Sequence, residues 1–294
     1  MRLEGARDER RGHSEAAGAR PQSVGHGCLD AAPALLRQLL ELSVELARQA
    51  GRLHVARAED ELRVETKSSI TDLVSEVDRE AEQSIVARLA QARPKDAVLA
   101  EEGTLRPGSS GVRWVIDPLD GTVNYLHGYP AYAVSIAVEV DGKPEIGTVY
   151  DSSTGRCYTA LSGFGAICDG RPIHVRHETD LARSLVATGF SYDADQRERQ
   201  AEVLRVVLGR VSDIRRSGSA ALDLCHVAAG HVDAYWELDN GPWDYGAGSV
   251  IAGEAGAEVV LVPAAHGRGP AVVAANSALL PALVALLKEA GALA

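Results

Sequence analysis

Leu35, Leu36, Leu39, Leu42 and Leu46 recur at helical spacing, which predicts a helix from Ala34 to about Val55. Val77, Ala81, Ile85 and Leu89 are spaced by four and predict a second helix from about Ser75 to Ala92. Its other face is charged, as on a helix packed against a sheet. The pattern then shortens. Trp114-Val115-Ile116 is an apolar strand, and Ala133–Val140 and Glu145–Tyr150 flank Asp141-Gly142, a strong hairpin signal. Another strand pair is expected around Cys157–Ala160 and Gly165–Cys168, with a further turn at Asp169-Gly170.

Beyond about residue 170 strands and helices alternate. Strand Leu185–Thr188 leads to a helix near Glu198–Leu208, Asp213–Arg215 to a helix over about Ser219–Ala229, and Ala234–Trp236 to a helix from Asp244 to Ala255. Strands near Val259–Val262 and Ala271–Ala274 precede a last helix. Such alternation implies partly parallel pairing. The expected fold class is α/β with an α+β N-terminal part, divided as 31–170 and 171–294. Residues 1–30 are rich in Gly, Arg, Glu and Ser and lack periodicity, so they read as a disordered N-terminal extension or an over-long start.

Composition narrows the function. A net charge of -11 argues against nucleic acid as a partner, because phosphate backbones demand clustered Lys and Arg. An acidic protein that handles phosphate must neutralise it another way, and bound metal cations are one. Cys28, Cys157, Cys168 and Cys225 form no Cys-x-x-Cys pair and are expected to be free thiols in a reducing cytoplasm. No apolar run approaches the length of a membrane span, and no apolar stretch follows the N-terminal charges as in a signal peptide.

The chemistry lies in carboxylates at element ends. Trp114-Val115-Ile116 runs into Asp117-Pro118-Leu119-Asp120-Gly121-Thr122. Two acids at the end of a buried strand cost desolvation and repulsion unless a cation sits between them, although an Asp-capped turn would explain them equally well. Thr122 begins a short helix whose amides would suit a phosphate. Val98-Leu99-Ala100 runs into Glu101-Glu102-Gly103, where a solvated loop is the alternative. Asp244 follows Pro242-Trp243 at a helix start, where an ordinary N-cap is the alternative. Three acidic groups without Cys or His at ligand spacing point to hard oxygen ligation, suited to magnesium or manganese.

Two motifs, Trp114 to Asn124 and Trp243-Asp244-Tyr245-Gly246-Ala247-Gly248, resemble those of the inositol monophosphatase family of metal-dependent, lithium-sensitive phosphatases. Lys67-Ser68-Ser69, Asp72-Leu73-Val74, Asp78, Glu101-Glu102-Gly103 and Gly218-Ser219-Ala220-Ala221 support the resemblance, which covers roughly residues 34 to 290. It implies a layered αβαβα sandwich of the sugar-phosphatase type and a homodimer. In that division 31–170 is a metal-binding domain with an antiparallel sheet, and 171–294 completes the active site. It implies Mg²⁺ held by Glu101, Asp117 and the Leu119 carbonyl at one position and by Asp117, Asp120 and Asp244 at another. Glu101 and Thr122 would activate water, backed by Asp78. Gly121 and Thr122 amides would hold phosphate, Glu237 and Ala220 would line the substrate pocket with Asp244, and Lys67 would lie near the metals. The implied reaction is hydrolysis of inositol monophosphate to myo-inositol and phosphate. The alternatives are the same chemistry on fructose 1,6-bisphosphate, histidinol phosphate or 3′-phosphoadenosine nucleotides, or a mainly regulatory binding protein. Pro242, Tyr245-Gly246 and the N-terminal extension depart from the family pattern. Arg215 and Arg216 read as a solvated pair, with substrate or subunit contact as the alternative. His226, His231, Phe164, Gly165 and Trp236 read as structural.

Overall fold

A computed structural model of the chain describes residues 31–60, 64–67, 73–266 and 269–294. The 1–30 extension, Ser68, Ser69 and Asp72 lie outside the described residues. The chain starts with α1 (Ala34–Arg57), the short hairpin β1 (Val64–Thr66) and β2 (Leu73–Ser75), and α2 (Glu76–Ala92). Ser75 is the cap of α2 rather than its first turn. Its hydroxyl accepts from Val77 N, and Asp78 Oδ2 accepts from Ser75 N at 2.8 Å. This reciprocal arrangement satisfies helix-start donors that have no intrahelical partner.

An eight-stranded sheet follows, built from β3 (Ala97–Ala100), β4 (Leu105–Arg106), β5 (Val112–Asp120), β6 (Ala133–Val140), β7 (Lys143–Asp151), β8 (Cys157–Leu161), β9 (Ala166–Cys168) and β10 (Arg171–Pro172), with the short helix α3 (Thr122–Leu126) between β5 and β6. Its order is β10-β9-β8-β7-β6-β5-β3-β4. Every pairing is antiparallel except β3 with β5. The second sheet contains β11 (Leu185–Thr188), β12 (Asp213–Arg215), β13 (Ala234–Leu238), β14 (Ala257–Pro263) and β15 (Pro270–Asn276), in the order β12-β11-β13-β15-β14. Here β11 pairs parallel with both neighbours, and the rest is antiparallel. The helices of this part are α4 (Ala194–Val207), α5 (Ala220–Ala228), α6 (Pro242–Glu254) and α7 (Leu280–Glu289).

The layers run α1/α2, large sheet, α5/α6, small sheet, α4/α7, which is the αβαβα sandwich. Pleating assigns the strand faces. Trp114 and Ile116 point into the core under α1 and α2, whereas Val115 joins the central core with Leu224, Tyr235 and Ile251. Covered on both faces, the Trp114–Ile116 part of β5 reads as an unbroken apolar run instead of an alternating one. Among the described residues no helix is long and apolar enough to cross a membrane.

Candidate active site

The apolar run that predicted a three-residue strand belongs to a nine-residue one, and β5 carries Asp117 and Asp120 within it rather than beyond it. Its register with β6 shifts between these two acids. Pro118, which has no N–H to give the ladder, sits in that break. Asp117 Oδ1 accepts from Leu119 N at 2.9 Å, which fixes the carboxylate across the bulge. Gly121 then adopts φ +89°, and a Cβ there would lie 2.7 Å from the Ala131 carbonyl oxygen. Only glycine fits both conditions. The chain turns straight into α3 with Thr122 at its start.

The other acids come from separate elements. Glu101 follows β3, whose parallel pairing with β5 brings it beside Asp117, and Glu101 N donates to the Ile116 carbonyl at 3.1 Å. Asp244 lies inside the first turn of α6, and its Oδ2 accepts from Gly241 N at 2.6 Å. It is therefore not the N-cap, the simpler role considered for it. Glu101, Asp117 and Asp244 each offer an oxygen within 4.8 Å of the other two. Asp120 lines the same cavity but commits Oδ2 to the start of α5, accepting from Ser219 Oγ at 2.6 Å and from Ala221 N at 2.8 Å.

Packing these charges together has a visible electrostatic consequence. Burial, followed by the charges of Glu101, Asp120 and Asp244, pushes the Asp117 carboxyl well above its ordinary range. Burial and Glu101 do the same to Asp244. Burial raises Asp120 to about 7 against the two hydrogen bonds from α5. Lys67 Nζ bridges Glu101 Oε1 at 2.8 Å and Glu102 Oε1 at 2.6 Å. Although burial works the other way, these two carboxylates hold the Lys67 ammonium above its ordinary value. Glu102 is not a solvated loop residue. Its side chain is almost covered, and burial raises it to about 7. A cluster of all-oxygen donors that repel one another fits a hard divalent cation, which would remove the repulsion and bind the ionised forms.

A second polar unit adjoins the cluster. Thr122 Oγ1 lies 2.7 Å from Asp78 Oδ1 and 3.0 Å from the Leu119 carbonyl oxygen. The hydroxyl has one proton for two acceptors, and the shorter contact is to Asp78. Asp78 is buried and raised by that burial, opposed by its hydrogen bonds from Ser75 and Thr122.

The cavity, about 390 Å³, extends from these groups to Glu237 on β13. Tyr235 OH donates to Glu237 Oε2 at 2.9 Å and itself accepts from Asn240 Nδ2 at 2.8 Å. Burial pushes Glu237 up to about 8, with Tyr235 and Arg216 acting in opposition. Ala220, the first residue of α5, forms part of the wall. Each site residue named from the sequence thus lines this cavity, apart from Asp78, which supports Thr122 from behind.

Sequence reasoning passed over Gly189 and Asn240, and it read Arg216 as one of a solvated pair, with substrate contact as the alternative. A Cβ on Gly189 would lie 2.0 Å from the Glu237 carboxyl, so this glycine makes room for the acid. A glycine directly after an apolar strand was the available signal. Arg216 lines the cavity and stands over the Phe190 ring. His226 and His231 pair their rings at 5.5 Å away from the cavity, and Trp236 is core, as expected. Gly165 was read as structural, and its amide and that of Gly163 donate to the Glu254 carboxylate at 2.8 Å each.

The model of the inositol monophosphatase family matches residues 35–292. The inositol-1-monophosphatase SuhB of Mycobacterium tuberculosis is 46% identical over 278 residues, which cover 88% of this chain and 96% of that protein. The Nus factor SuhB of Vibrio cholerae is 42% identical over 228 residues, or 76% and 85% of the two chains. The solved structure of the extragenic suppressor protein suhB from Bartonella henselae superposes with a TM-score of 0.80 at 37% identity, covering 86% of this chain and 99% of that one. The chain belongs to the inositol monophosphatase family.

Proposed function

We propose that the protein is a Mg²⁺-dependent phosphatase that hydrolyses inositol monophosphate to myo-inositol and phosphate. The observation that carries this reading is the convergence of Glu101, Asp117 and Asp244 oxygens within 4.8 Å, next to the Thr122–Asp78 pair. Glu101, Asp117, Asp120, Asp244 and the Leu119 carbonyl would hold the metal. When bound, the metal supplies charge neutralisation for the transferred phosphoryl group and acidifies water. The residues supply positioning. Thr122 Oγ1 gives its proton to the hydrogen bond with Asp78 Oδ1 and keeps a lone pair for a proton of the attacking water. Glu101, on the same wall, takes up the other proton as the water attacks. The Gly121 and Thr122 amides, at the start of α3, face the phosphate oxygens, and Glu237 accepts from hydroxyls of the leaving group. No covalent nucleophile is required.

Asp117→Asn tests the reaction. Activity should be lost with the fold retained, and near-normal turnover would sink the proposal. The substrate is tested by comparing kcat/KM on inositol monophosphate, fructose 1,6-bisphosphate, histidinol phosphate and 3′-phosphoadenosine nucleotides, with and without Mg²⁺. The reading includes a cytoplasmic homodimer without nucleic-acid or membrane partners, in keeping with the acidic charge. A second reading, a regulatory binding role, draws on relatives named Nus factor. It predicts that the inactive Asp117→Asn protein rescues a deletion strain fully.

A further inference from the structure

Among the described residues that line the cavity, two are cationic, Lys67 and Arg216. Lys67 is committed to Glu101 and Glu102. The Arg216 charge instead acts on the buried carboxyls of Asp223 and Glu237, opposing the rise of both. The guanidinium carbon stands 6.0 Å from the centre of the Phe190 ring, at the outer limit of cation–π attraction. The backbone that carries it is well anchored. Asn124 Nδ2 donates to the Ser217 carbonyl at 2.9 Å and to the Ala131 carbonyl at 2.7 Å, and Ser219 Oγ is tied to Asp120. Nη1 lies over Gly218, only 2.5 Å from where a Cβ would stand, and Gly218 in turn packs against Gly121. The guanidinium thus lines the cavity beside Gly218 and Gly121, and its charge opposes the burial that raises Glu237 in the same cavity.

Arginine only donates hydrogen bonds, whereas the Glu237 carboxyl can accept them in either protonation state. A hydroxyl does both. Two neighbouring hydroxyls on one leaving group satisfy this wall, one accepting from Arg216 and the other donating to Glu237. A second phosphate suits it poorly: Lys67 is already paired, so Arg216 alone would face a dianion in a cavity otherwise lined by acids. We infer that Arg216 is a specificity-determining residue that, together with Glu237, reads adjacent hydroxyls of a polyol leaving group. The inference rests on the phosphatase reading above.

The test is steady-state kinetics of wild type, Arg216→Ala and Arg216→Lys on three substrates with Mg²⁺. These are inositol 1-phosphate, phenyl phosphate, which carries no hydroxyl, and fructose 1,6-bisphosphate. For Arg216→Ala, kcat/KM on inositol 1-phosphate should fall roughly 10- to 100-fold, the range for a hydrogen bond to a charged group. The ratio of that value to the phenyl phosphate value should fall by about 10-fold or more. Lysine, which keeps the charge but offers its donors from one nitrogen without the planar fork, should recover part of the loss. Equal losses on inositol 1-phosphate and phenyl phosphate would overturn the inference, because Arg216 would then serve the transferred phosphate. A loss confined to fructose 1,6-bisphosphate would overturn it in favour of a second anion site. Unaltered kinetics on all three would leave Arg216 with no role in specificity. A wild type inactive on every substrate would sink the phosphatase reading itself, and this inference with it.

Discussion

Asp120→Asn separates the electrostatic cost of the carboxylate cluster from its geometry. Both hydrogen bonds to Asp120 end on Oδ2, from Ser219 Oγ and Ala221 N. An asparagine can place its carbonyl oxygen there, keep both bonds, and turn its amide donors toward the neighbouring acids. The change therefore removes a charge without opening a cavity. In the metal-free protein the Asp120 carboxyl titrates near 7 instead of 3.8, chiefly through burial. That difference corresponds to roughly 4 kcal/mol favouring the protonated form. The folded state holds more protons than the unfolded chain across this window, so this contribution to stability is complete below the unfolded value and is lost as pH rises toward 7. At pH 8 in chelator the asparagine variant should be more stable than wild type by about 1–3 kcal/mol, because the amide must still be desolvated. For a domain of this size that is a rise in Tm of roughly 2–6 °C. Added Mg²⁺ should reverse the ranking. A ligand bound only by the folded state stabilises by mass action, about 2.7 kcal/mol at 100-fold excess over Kd, and the variant has lost a donor for it. Calorimetry at pH 5 and pH 8, with EDTA and with MgCl₂, reads all four conditions. An asparagine variant that melts at or below wild type in EDTA at pH 8 would refute the reasoning. So would a metal-free wild type whose Tm is flat between the two pH values.

Four other outcomes are expected. Gly189→Ala forces the Glu237 carboxyl to retreat by more than 1 Å from a contact of 2.0 Å. Its kcat/KM on inositol 1-phosphate should fall by about 100-fold, as for a misplaced positioning group, while the acid's freedom to swing into the cavity holds the stability change to about 1 kcal/mol in calorimetry. Gly121→Ala introduces a side chain at φ +89° against the Ala131 carbonyl and should lower stability by about 1–3 kcal/mol in urea titration, with loss of activity. Thr122→Ala should lower kcat by about 100-fold or more, whereas Thr122→Ser, which keeps the hydroxyl beside Asp78, should retain most of it in the phosphate-release assay. The family resemblance predicts inhibition by lithium at millimolar levels, and complete insensitivity would count against it.

The layers were legible because their signals are local. The period of four in Val77, Ala81, Ile85 and Leu89 is a helix in any context, and all four are buried. Asp141-Gly142 fixed the β6–β7 hairpin, with Asp141 and Gly142 both at positive φ. The acids were legible through their poor fit to the ends of apolar runs. What could not be read was pairing at a distance. The parallel contact of β3 with β5 sets Glu101 beside Asp117, and no pattern along the chain encodes it. The bulge that prolongs β5 through Asp120 depends on the partner strand β6. Arg216 was discounted because an exposed arginine pair has no periodicity to betray it. Its place became evident only once Gly218 was packed against Gly121.

Asp120 joins two tasks in one side chain. One oxygen secures the start of α5, directly after the loop that carries Arg216, and the other is left for the carboxylate cluster. The backbone from Ser217 to Ala221 therefore cannot be re-shaped without disturbing the acid on which the chemistry depends. Among descendants of this scaffold, substrate range can drift cheaply through single side-chain exchanges at Arg216 and Glu237. Insertions or deletions in that loop would be filtered out, because they would cost catalysis before they conferred a new preference.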